Sequence, residues 1–136
     1  MPEHKKFVVI ACTGMGKILA SVGRVAAFLA QERDPNKFIL GNLPAIAAGI
    51  ENAKSEIEGK DIITLTGCKE KCPEKILRRF SIPILADIMI SEVYRENKTL
   101  KPKSRSDIGN TGLQLAEKIV EKLQKIIIIQ KEEKCD

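Results

Sequence analysis

The chain has no tryptophan, one tyrosine, four phenylalanines and one histidine among its 136 residues. With so few large rings, Ile, Leu, Val and Ala must fill the core, which favours helices packed on a sheet of branched residues. The single histidine, His4, excludes a Ser–His–Asp set. It precedes the first apolar run and is expected on the surface, away from any site at the other end of the sheet. No run reaches the ~20 apolar residues of a membrane span. Only six apolar or small residues, Phe7 to Cys12, follow the charged start, too few for a secretory signal core. The expected location is therefore the reducing cytoplasm, where four cysteines point to metal or thiol chemistry more than to structural disulfides.

What is present suits a soluble domain. Hydrophobic residues make up 43% and charged residues 30% of the chain. A chain of this length can bury roughly two-thirds of its unfolded surface as one domain. Residues 1–130 are expected to form that domain, with 131–136 as a charged tail. The net charge is +5. The basic residues are mixed with Glu and lack aromatic stacking partners, which argues against nucleic-acid binding. The polar stretch from Val93 to Asp107 is the one place such a module would use, through Arg95, Lys98, Lys101, Lys103 and Arg105. It otherwise reads as a mobile loop.

Periodicity gives alternating elements. Lys6 to Cys12 is a continuous apolar run, as a buried parallel strand requires. Ile18 to Glu32 repeats apolar residues at helical spacing. Lys37 to Leu40 is a second strand, and Ala45 to Ile57 an Ala-rich helix with Pro44 in its first turn. Asp61 to Leu65 is a third strand, Pro73 to Phe80 a short helix, and Ile84 to Ile90 a fourth strand. Asn110 or Thr111 is placed to cap a last helix from Leu113 to about Ile127, with Leu115, Ile119, Val120 and Leu123 on one side. Ile126 to Ile129 fits either the end of that helix or an edge strand. Strand and helix alternating in this way imply a three-layer, mostly parallel, doubly wound α/β sheet of about four strands, Rossmann-like or flavodoxin-like, with right-handed crossovers.

In such sheets ligands bind beyond the carboxyl ends of the strands, where strand order reverses. Cys12 ends the first strand and Cys68 follows the third, neighbours in the flavodoxin-like order 2-1-3-4. Two cysteines far apart in sequence are thus expected at one rim. Cys72 stands four residues after Cys68. If the helix began near Cys68, both thiols would share its first turn, and a three-residue spacer is within the range found at zinc sites. Two helix amino-termini, Lys69, Lys71, Lys75, Arg78 and Arg79, and the small residues Gly14, Gly16 and Gly67 favour thiolates and close backbone approach there. Cys12, Cys68 and Cys72 are the candidate metal ligands, with zinc the expected ion and iron or an iron–sulfur cluster the lesser alternative. Three cysteines leave a tetrahedral position open for water, a substrate, a partner's residue or Cys135. Asp87, inside the fourth apolar run, needs a partner to offset its burial.

Other loops fail on particular residues. Cys12-Thr13-Gly14-Met15-Gly16-Lys17-Ile18 has Ile18 where low-molecular-weight tyrosine phosphatases need an Arg to hold phosphate. The same stretch lacks the first glycine and the Ser/Thr of a P-loop, and the third glycine of a dinucleotide fingerprint.

At Ala11-Cys12-Thr13-Gly14, at Gly67-Cys68-x3-Cys72 and along Gly49-Ile50-Glu51-Asn52-Ala53, the sequence resembles the DGC-domain family. That family has an Ala-Cys-Ser/Thr-Gly segment after its first strand, an alternating α/β chain, and a Gly-Cys-x3-Cys run opening a helix. The resemblance covers most of residues 7 to 95. It implies zinc binding and supplies no enzyme class. The family's Asp-Gly-Cys is Thr66-Gly67-Cys68 here, so any role of that Asp is in question. The function expected from the residues and the resemblance is a metal-binding protein, a carrier or sensor that exchanges metal or thiols with a protein partner. The alternative is a thiol or redox enzyme using Cys68-x3-Cys72 with Cys12.

Overall fold

The branched runs form one parallel sheet in the computed structural model, which describes residues 6–14 and 16–134. Its strands are β1 (Phe7–Ala11), β2 (Phe38–Leu40), β3 (Asp61–Thr66) and β4 (Ala86–Met89). They stand in the order β2-β1-β3-β4, all parallel, so the α/β class and the expected order both hold. The register sets Ile10 beside Thr64 and Ala11 beside Leu65, then Thr64 beside Asp87 and Thr66 beside Met89.

Side chains alternate across the sheet, and both faces are buried. Phe7, Val9, Phe38, Ile63, Leu65 and Ile88 pack under the helices α1 (Ile18–Arg33), α5 (Ile90–Glu96) and α6 (Gly109–Lys134). Val8, Ile10 and Ile62 pack under α2 (Leu43–Ala47), α3 (Glu51–Ile57) and α4 (Cys72–Arg79). The sheet is thus the middle of three layers. Two of the few aromatic rings, Phe7 and Phe38, stand side by side on the first face.

Three expectations change. The helix expected over Ala45–Ile57 is two helices. Asn42 accepts a hydrogen bond from the Ala45 N–H at 3.2 Å and starts α2 at Leu43. Gly49, at φ +78°, then takes a left-handed conformation that ends it. Open space surrounds the position a Gly49 Cβ would take, so Gly49→Ala is expected to lose about 1 kcal/mol through backbone strain alone. A shift of the urea midpoint without a change in slope would show it.

The stretch read as a mobile loop begins as α5, because Ile90 and Val93 bury one helical face. Beyond it, Ser21 Oγ donates to the Arg105 carbonyl at 2.7 Å and Thr111 Oγ1 donates to the Lys101 carbonyl, fastening the segment to α1 and α6. Thr111 is therefore occupied elsewhere and does not cap α6. The Asp107 carboxylate accepts the Gly109 N–H at 3.0 Å instead. Finally, α6 runs on to Lys134, so Ile126–Ile129 are helical and residues 131–134 continue the helix, while 135 and 136 lie outside the described residues. Leu115, Ile119, Val120 and Leu123 face the core as expected.

Candidate functional site

Cys12 is placed by the sheet. Its N–H donates to the Leu65 carbonyl at 3.0 Å, extending the β1–β3 pairing one residue past the strand. The side chain is only 5% exposed. Its Sγ accepts the Gly14 N–H at 3.4 Å. A Cβ on Gly14 would lie just 3.4 Å from that sulfur, so the loop backbone wraps closely round it. Helix α1 begins shortly after, and its N-cap residue, Lys17, makes no side-chain cap.

The second cysteine loop leaves β3 at Thr66. Gly67 is buried, and a Cβ there would come within 2.9 Å of the Ala20 nitrogen and 3.0 Å of its Cα. The glycine therefore lets the β3–α4 loop rest on the backbone of the first turn of α1. This contact sets the Cys68 loop against the helix that follows the Cys12 loop. Cys68 is half-buried, and its carbonyl accepts the Lys71 N–H at 3.2 Å, closing a turn. Lys71 has φ +52°, unusual for a residue with a side chain. Helix α4 starts at Cys72, which is exposed, with Pro73 in its first turn. The expectation that Cys68 and Cys72 share a helical turn thus gives way to a helix that begins only at Cys72. The left-handed Lys71 holds Cys68 outside it.

Two neighbouring strands bring Cys12 and Cys68 to one rim, and Cys72 opens the helix beyond. Among the described residues, no group of three His, Cys, Asp or Glu is close enough to hold a metal ion. Cys135 and His4 lie outside the described residues.

The sequence asked for a partner for Asp87, and the structure supplies two. Thr64 Oγ1 donates to Asp87 Oδ1 at 2.7 Å, and Thr66 Oγ1 donates to the same oxygen at 2.6 Å. Both threonines are essentially inaccessible, at 0% and 1% exposure. The signal was present as two hydroxyl residues at a spacing of two in an otherwise apolar strand, since that spacing puts both on one face.

A family model, the DGC domain, matches residues 8–122. The chain belongs to the DGC-domain family. No curated protein and no solved structure matches it. Membership carries the family's implication of metal binding and leaves the ion open. In this DGC domain the residue before Gly67 is Thr66, and the carboxylate bonded to its hydroxyl comes from Asp87 on the next strand. The donor set fits a soft metal in kind: three thiols, an N–H on the Cys12 sulfur, and two helix amino-termini without side-chain caps. In placement the thiols form an open rim and not a finished shell. No described helix is long and apolar enough to cross a membrane.

Proposed function

We propose that this DGC domain binds a zinc ion through Cys12, Cys68 and Cys72 and passes it to, or senses it for, a protein partner. The observation that supports this reading is the parallel pairing of β1 with β3, carried one residue further by the Cys12 N–H on the Leu65 carbonyl, which leaves Cys12 and Cys68 at the same end of neighbouring strands. Thiolates suit zinc, and three of them leave one tetrahedral position for an exchanging ligand. The turn from Cys68 to Cys72 is short, and it is held by one backbone hydrogen bond across a left-handed lysine. Such a turn can re-form at small cost when an ion draws the thiols together. Binding would then stabilise the rim, as ligand binding to a folded state must.

The test is the metal content of fresh protein prepared under reducing conditions, beside that of Cys68→Ser. Wild type is expected to hold about one equivalent of zinc and the variant less than about a tenth. Wild type with less than about a tenth, and no uptake from added zinc, would overturn the proposal.

A second reading rests on the accessibility of Cys68 and Cys72, since a thiol pair in one short surface turn also suits reversible disulfide formation. Thiol titration across a redox series decides it. A pair that never oxidises reversibly removes it.

A further inference from the structure

Four consecutive isoleucines lie near the end of α6, and the helix turns them two ways. Ile127 is buried at 3% exposure, and Ile126 packs half-buried against the same core. Ile128 and Ile129 face outward, 55% and 52% exposed. A helix that repeats every 3.6 residues cannot bury four consecutive side chains on one side. Ile128 and Ile129 belong to neither core cluster, and no core residue follows Ile127. This pair of branched apolar side chains therefore adds nothing to the packing of its own fold.

The charged residues that flank the pair are of opposite sign. Lys125, Ile128, Ile129 and Glu132 lie at i, i+3, i+4 and i+7, which places them on one stripe of α6. All four are exposed. Among the described residues, neither Lys125 nor Glu132 forms an ion pair. The stripe is on the side of the helix opposite Ile119, Leu123 and Ile127, so a second helix can lie along it clear of the sheet. It is also complementary to itself. Lys125 and Glu132 stand equally far from the midpoint between Ile128 and Ile129. A copy turned end for end about that midpoint sets Ile128 against Ile129 and Lys125 against Glu132, each twice, as a two-fold contact requires. A parallel copy would set lysine against lysine and glutamate against glutamate, which opposes pairing.

We propose that this DGC domain self-associates through α6, with two copies antiparallel and Ile128 and Ile129 at the centre. Four side chains from each copy are far fewer than the ~20–30 residues a side of a stable interface. The dimer is therefore weak, with a Kd on the order of 100 µM. It uses none of the cysteines and stands independently of the zinc reading.

The test is sedimentation velocity of the full chain from about 10 µM to about 1 mM, a range that brackets this Kd. Low salt keeps surface charges unscreened. Reductant and a chelator prevent a disulfide or a shared ion from joining two copies. Wild type is expected to pass from monomer to dimer across the range. The double variant Ile128→Ala, Ile129→Ala keeps good helix formers and should bind itself at least about a hundredfold more weakly. Lys125→Glu and Glu132→Lys should each weaken association by about tenfold, because each sets like charges together at two places. Mixed one to one, these two variants regain both opposite-charge pairs, and so does one chain carrying both reversals. Both should associate about as tightly as wild type. Wild type that stays monomeric to about 1 mM overturns the proposal and leaves the stripe to a different partner. A dimer that the double alanine variant leaves intact forms elsewhere and overturns it too. Single reversals that mixing does not rescue overturn the antiparallel pairing.

Discussion

Gly67→Ala is expected to lower stability by about 1–3 kcal/mol and to impair zinc retention at the same time. The added methyl group would sit 2.9 Å from the Ala20 nitrogen and 3.0 Å from its Cα. Those are backbone atoms in the first turn of a helix whose other residues, Val22, Ala26 and Ala30, are buried against the sheet. They cannot swing aside as a flexible side chain would. Either α1 lifts or the β3–α4 loop moves outward, and Cys68, the next residue, moves with it. Cys12 is held by its own pairing to Leu65, so it does not follow. The distance between the two thiols should therefore grow while the strands stay in place. Urea denaturation reads the stability loss, and chelator competition reads the metal. A variant as stable as wild type, with unchanged zinc affinity, would show that the close approach of the loop to α1 is slack.

Loop packing of this kind lies beyond what the sequence shows, whereas the sheet order does not. The order was legible because short β-branched runs alternated with helical patterns, and few topologies satisfy right-handed crossovers. The shared rim of Cys12 and Cys68 followed from that order alone. What failed was local. Nothing in the apolar pattern of Ala45–Ile57 marks the break at Gly49, because a single glycine inside a helical pattern is often tolerated. A helix starts at Ile90, where the apolar pattern reads as the end of a strand, and runs through Val93 into residues whose charge reads as loop, because burial of these two side chains outweighs the polar remainder. Cys68 and Cys72 look like a helical pair by spacing. The left-handed Lys71 between them is set by the turn, and no residue there signals it in the way a glycine would. The Thr64–Thr66–Asp87 group required knowledge of which strands are neighbours and in what register. Its members were individually visible, as hydroxyls in an apolar strand and a charge in an apolar run.

That group gives the second large effect. Asp87→Ala is expected to destabilise the fold by about 2–4 kcal/mol, because it strands two buried hydroxyls without an acceptor. For a chain of this size that corresponds to a melting temperature lower by roughly 10 °C. Thr64 and Thr66, at 0% and 1% exposure, have no water to turn to. The loss comes from unsatisfied polar groups more than from the missing carboxylate, so an apolar replacement of the whole group should recover most of it. Thr64→Val, Thr66→Val and Asp87→Leu together should come within about 1 kcal/mol of wild type, since removing all partners leaves nothing unpaired. Asp87→Asn should also remain close to wild type, because its amide oxygen can still accept both hydroxyls. The two comparisons separate the hydrogen bonds of one residue from its charge. If Asp87→Ala melts within about 2 °C of wild type, a change worth roughly 0.5 kcal/mol, the two hydroxyls have found other acceptors and the group is not a structural unit.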